Sequence, residues 1–148
     1  MDTRYQIHEG SIALPDGFTD RSTNVFVLGN TTPSQLNLNV ARDTLLDAET
    51  LHAYVDRQIA LLKKNLRAYS IVRRETPMLG NDSDVSVGEQ ITSTHKNGNT
   101  TMHQRQAAFI HAPRRVLIFS CTSVRAFDGA QDELWQQWLA SFQPATNH

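Results

Sequence analysis

Cysteine is almost missing. Cys121 is the only one in 148 residues, so no internal disulfide can form, and its place in an apolar alternating run marks it as a small buried hydrophobe. Such usage suits a reducing compartment. Long hydrophobic runs are missing as well. No stretch reaches the ~18 apolar residues that suggest a membrane span, and Met1-Asp2-Thr3-Arg4-Tyr5-Gln6 lacks the apolar core of a secretory signal. A cytoplasmic protein that does not insert into a bilayer is the expectation. Neither sign of charge dominates: 14 basic residues face 15 acidic ones, for a formal net charge of -1. No field therefore draws the chain toward nucleic acid or anionic lipid.

Chemical signatures are missing too. There is no Walker loop, Gly-x-Gly-x-x-Gly fingerprint, nucleophile elbow or His-Glu-x-x-His. None of the histidines lies three or four residues from another on an expected helix, and His103 and His111, though on one strand face, stand too far apart to share a metal ion. Asp82-Ser83-Asp84 resembles a calcium-loop fragment without its later ligands. The basic pairs Lys63-Lys64, Arg73-Arg74 and Arg114-Arg115 are scattered, without interleaved aromatics. No enzyme, metal or cofactor is expected, and no nucleic acid partner.

What is present suits one folded domain over residues 1–148, because 39% hydrophobic residues suffice for a core at this length. Ile7 to Leu14 reads as a strand ended by the Pro15-Asp16-Gly17 turn. Asn24 to Leu28 and Gln35 to Arg42 read as a hairpin. On the second of these strands Leu36, Leu38 and Val40 share one face and Asn37 and Asn39 the other. The period then changes. Leu51, Tyr54, Val55, Gln58, Ile59, Leu62 and Leu66 follow helical spacing, predicting a helix over 48–68 capped by Asp47. A short strand over Ile71 to Thr76 and a loop from Pro77 to Asp84 follow. Val85 to His95 and Thr100 to His111 flank Asn97-Gly98, a strong hairpin signal, and Arg115 to Val124 makes a further strand. A last helix after Asp128 carries Leu134, Trp135, Trp138, Leu139 and Phe142 and stops by Pro144. The sum is an α+β domain: a mainly antiparallel twisted sheet of six or seven strands with two helices.

Closing the hairpin with Lys96 opposite Asn99 sets Ile91 against Gln104 and Ser93 against Met102, an apolar face dotted with amides. Gln58 sits in the helix stripe, where a buried amide needs a partner to offset about 1–3 kcal/mol of desolvation. Either these amides bond within the fold or they border a groove and bond to a guest. Two other classes stay open. One is a small-ligand-binding domain or enzyme using His103, Arg105 and Asp84; the other is an adaptor for a folded partner.

Several local patterns occur together and in order: Tyr5, Glu9-Gly10, Leu14-Pro15-Asp16-Gly17-Phe18 and Asp20-Arg21-Ser22-Thr23-Asn24, then Asn39-Val40-Ala41-Arg42-Asp43. Leu51-x-x-Tyr54-Val55 with Gln58 and the final Trp135-x-x-Trp138-x-x-x-Phe142 complete them. In these the sequence resembles the Eag chaperones of bacterial type VI secretion, within the DcrB-like group, along nearly its whole length. The resemblance implies a Mog1/PsbP-like sheet and a homodimer. It also implies a guest: the N-terminal transmembrane segments of Rhs- or PAAR-type toxin effectors, kept soluble and helped onto the VgrG spike. The groove residues it implies are Leu36, Leu38, Val40 and Gln58, with Leu62, Ile91, Met102 and Gln104. Amides in an apolar groove would imitate the close packing and interhelical hydrogen bonds of helices in membranes.

Overall fold

The computed structural model describes residues 3–29, 36–81 and 85–145. Period-two alternation builds its centre, a six-stranded antiparallel sheet. The chain runs β1 (Thr3–Ile7), β2 (Gly10–Leu14), β3 (Asn24–Val27), β4 (Leu36–Thr44), α1 (Leu51–Asn65) and β5 (Arg67–Glu75). It continues through β6 (Met78–Leu79), β7 (Ser86–Val87), β8 (Glu89–Asn97), β9 (Thr100–Ala112), β10 (Arg115–Ser123) and α2 (Gly129–Ala140). The main sheet has the order β3-β4-β10-β9-β8-β5, while β1-β2 and β6-β7 form two small ladders. The α+β class is as expected.

Several boundaries differ from the sequence reading, each for a local reason. The single first strand is a hairpin, β1 and β2, turning at His8 and Glu9. The helix starts later than residue 48 because Ala48 holds a left-handed φ of 60°. Thr50 rather than Asp47 caps it, its hydroxyl accepting from the Ala53 N–H at 3.1 Å. Asp47 instead faces Arg114 at 3.0 Å. The expected strand from Val85 breaks at Gly88, where a Cβ would meet the Ala108 carbonyl oxygen at 2.2 Å and the Phe109 ring at 2.6 Å. The loop after Pro77 contains β6, and Asp82-Ser83-Asp84 lie outside the described residues.

The β8–β9 hairpin closes on Asn97 opposite Thr100, so Ser93 faces Gln104 and His95 faces Met102. Gly98, with φ of 62°, takes the first central turn position. Compared with the expected pairing, every partner moves by two residues. A shift of two leaves each side chain on its face.

Two cores result, one on each side of the sheet. On one side α2 buries Trp135 and Leu139 against Leu36, Ala107, Phe109, Leu117, Phe119 and Cys121. Phe119 is the hub, with ring centres 5.2 Å from Trp138, 6.0 Å from Phe109 and 6.2 Å from Phe142. A capping box starts α2: Asp128 accepts from the Gln131 N–H and Gln131 accepts from the Asp128 N–H. Cys121 lies in this core, and burial pushes its thiol up to about 11. On the other side α1 buries Tyr54, Val55 and Ile59 against Leu45, Ile91, Ala108 and Val116.

Candidate functional site

The two helices do not cover the sheet equally. α1 packs over β5, β8 and β9 and reaches Val116 and Ile118 of β10 and Asp43 of β4; among the described residues it makes no hydrogen bond or core contact with β3 or with the Asn37–Asn39 stretch of β4. Pairing across the strands fixes what that open part presents. One row runs Val25, Asn39, Ser120, Gln106, Ile91; the next runs Val27, Asn37, Thr122, Gln104, Ser93. Both rows are apolar at the β3 end and amide-rich in the middle, and they run under α1 at the far end.

The result is a trough. Its outer rim is β3, where Val25 and Val27 are 59% and 60% exposed. Its inner wall is α1, where Gln58 and Leu62 line a pocket of about 100 Å³ together with Tyr69, Gln106 and Ile118. From β3 to β10 the floor spans two strand spacings, about 10 Å. That is about the width of one α-helix.

The floor is unusual in what it leaves unpaired. The side-chain oxygens of Asn37, Asn39 and Gln104 are shut off from water and have no hydrogen-bond partner among the described residues, and the same holds for Nδ1 of His95 beside Met102. Each such buried polar atom costs about 1–3 kcal/mol. Three amides sharing one face concentrate that cost there, and a donor from outside relieves it once the amides turn outward. Gln58, at the wall, makes no side-chain hydrogen bond among the described residues either.

The wall itself is firmly fixed. The Tyr54 hydroxyl donates to Asp43 of β4 at 2.7 Å; burial first and this bond second push the phenol up from its ordinary value. Arg74 bridges Asp56 of α1 at 2.7 Å and Glu89 of β8 at 2.8 Å, which holds the Asp56 carboxyl below its ordinary range. Arg57 grips Glu49 through two hydrogen bonds of 2.8 and 2.9 Å. That grip, aided by the Leu46 N–H, lowers Glu49 to about 2. A depressed carboxyl adds stability that is complete above its ordinary value and is lost as pH falls through the folded one. The urea midpoint should therefore fall between pH 4.5 and 2, and Glu49→Gln should make that fall shallower.

The eight residues expected to line a groove do not lie on one surface. Gln58, Leu62, Ile91, Met102 and Gln104 belong to the α1 side, with Ile91 buried beneath the helix and Met102 at the far end of the floor. Leu36, Leu38 and Val40 point the other way. They pair with Ser123, Cys121 and Phe119 and pack into the core under α2, so alternation excludes them from this trough. The floor residues from the same strand are instead Asn37 and Asn39, on its polar face. Their even spacing opposite an apolar set, and the even spacing of Gln104 and Gln106, were the available signals. Arg105 and His103 lie on the α2 side, the latter edge-on to Phe127 at 6.3 Å, and Asp84 lies outside the described residues.

The sequence model of the DcrB family matches residues 9–141. A relative named Effector EagT6, from Pseudomonas aeruginosa, is 24% identical over 143 residues, which cover 96% of this chain and 96% of that protein. Among solved structures, the crystal structure of PA94, a Pseudomonas aeruginosa protein of unknown function, aligns with a TM-score of 0.72 at 21% identity over 99% of both chains. That last likeness establishes a shared fold.

Proposed function

Because the chain belongs to the DcrB family, matching it over residues 9–141, we propose that it is a cytoplasmic chaperone for a secreted effector of type VI secretion. In this reading it shields the transmembrane helices of an Rhs- or PAAR-type toxin until the toxin is loaded onto the VgrG spike. The observation that carries the reading is the trough: a helix-wide, apolar-rimmed strip of sheet whose amide oxygens at Asn37, Asn39 and Gln104 lack donors. The likeness to Effector EagT6 supports the same direction.

Physical chemistry fits the role. A helix of ~20 apolar residues aggregates in water, and covering it gains about 25 cal/mol for each Å² of apolar area removed. Valines on the rim supply such area. Amides on the floor accept hydrogen bonds from guest hydroxyls, which fixes register as a neighbouring helix would in a membrane. Enzymatic activity is not part of this reading.

A homodimer belongs to the proposal as well. The β1–β2 hairpin carries Tyr5, Ile7, Ile12 and Leu14 on one face, with Ile7 and Ile12 39% and 47% exposed. Among the described residues, its side-chain hydrogen bond to the body joins the Tyr5 hydroxyl and Ser22 Oγ at 2.8 Å. An apolar arm held so lightly suits seating on a second copy, and two troughs then hold a pair of helices.

The test is co-expression of an effector's N-terminal hydrophobic region with and without this protein. The guest should stay in the soluble fraction and co-purify only when the protein is present. Equal solubility in both cases would remove the basis for the proposal.

A further inference from the structure

A second pocket, of about 510 Å³, opens on the opposite side of the sheet from the trough, between α2 and the β5–β6 edge. Its existence does not depend on the chaperone reading. Trp135 and Leu139 of α2 and Met78 of β6 give it an apolar wall, and Arg73, Gln90 and Arg105, with the acids Glu75 and Asp132, a polar one.

Arg105 is the centre of the polar wall. It is 5% exposed, its guanidinium pairs with Asp132 through Nη2, and its Cζ stands 4.2 Å from the centre of the Phe127 ring. A buried guanidinium needs partners for all its N–H groups, yet its Nε has none among the described residues. Gln90, 7% exposed, spends its oxygen on the Trp135 indole N–H at 2.9 Å. Its NH2 then has no partner among the described residues. The Arg105 Nε and the Gln90 NH2 are donors, so the matching ligand presents acceptor oxygens.

Hydrogen bonds from a guanidinium to an anion are the stronger kind, and a lining that also holds Glu75 and Asp132 favours a singly charged anion, such as a carboxylate, over a phosphate. Asp132, 46% exposed, offsets Arg105 alone. Arg73 is tied to Glu75 at 3.4 Å, with the two side chains 61% and 49% exposed. An open pair like that contributes little and redirects easily. With Glu75 turned to water, the two arginines balance Asp132 and one incoming anion.

We propose that this pocket binds a carboxylate carrying an apolar substituent, the oxygens at Arg105, Gln90 and Arg73 and the substituent against Trp135, Met78 and Leu139. A free small acid and the C-terminus of a protein chain share this chemistry. The full-length protein, ¹⁵N-labelled, has two indole N–H signals, since Trp135 and Trp138 are its two tryptophans. Titration with N-acetyl-L-leucine should move the Trp135 signal saturably, and N-acetyl-L-leucinamide should not. Arg73→Gln, at the exposed rim, should weaken the acid about tenfold, and Arg105→Lys should weaken it further if it folds. Glycyl-glycyl-leucine as acid and as amide separates the sources: tighter binding of the peptide acid than of acetyl-leucine assigns a chain terminus, and weaker binding a free acid. An unmoved Trp135 signal, equal response to acid and amide, or an Arg73→Gln protein that binds as its parent does would overturn the proposal.

Discussion

Val25→Asp with Val27→Asp is expected to abolish protection of a hydrophobic helical guest while leaving a folded protein. Both valines are well exposed on the rim, at 59% and 60%, and strand propensity on a short edge strand is a term of about 1 kcal/mol at most. In the complex the change is far larger. Each valine covered by guest is worth about 1.5–3 kcal/mol, and each new carboxylate would have to be stripped of water against an apolar helix. Affinity should fall at least about a hundredfold, read by co-purification or by fluorescence of a labelled guest segment. Phe26→Asp is the control, because Phe26 is 53% exposed on the opposite face of the same strand. The floor tests the same idea in reverse. Asn39→Leu and Gln104→Leu remove unpaired buried oxygens, so each should stabilise the empty protein by about 1 kcal/mol while weakening hold on the guest. Such opposition between stability and activity marks a functional surface.

The largest loss of stability is expected from Phe109→Ala. Phe109 has no exposure at all, meets Phe119 edge-on at 6.0 Å and lies against the backbone of Gly88. Emptying that position should cost about 3–5 kcal/mol, lowering the melting temperature by about 10 °C for a chain of this size. Thermal or urea unfolding checks it. Because Phe109 lies under α2 and not beneath the trough, guest affinity of the remaining folded protein should change little.

Much of this was legible in the sequence because alternation and helical spacing are local. Leu51 to Leu62 announced α1, Asn97-Gly98 announced the β8–β9 hairpin, and the apolar and polar sets of β4 were correctly separated. The pairing error of two residues did no harm, since faces survive an even shift. Which helix covers which face is a different matter, because it depends on how the chain crosses the sheet after β4 and after β10. Without that, Leu36, Leu38 and Val40 read as core first and enter the groove only through the family resemblance, while Asn37 and Asn39 read simply as the polar face. Helix and strand ends also escaped, since Ala48 in a left-handed conformation and the close approach at Gly88 are imposed by neighbours distant in sequence.

A photo-crosslinking amino acid placed at Val25, and separately at Phe26, in cells producing the guest tests the central claim most directly. The two positions are adjacent, similarly exposed and on opposite faces of β3. Crosslinks to the guest's hydrophobic helices from position 25 and not from 26 are the predicted result; crosslinks from 26 alone would contradict it.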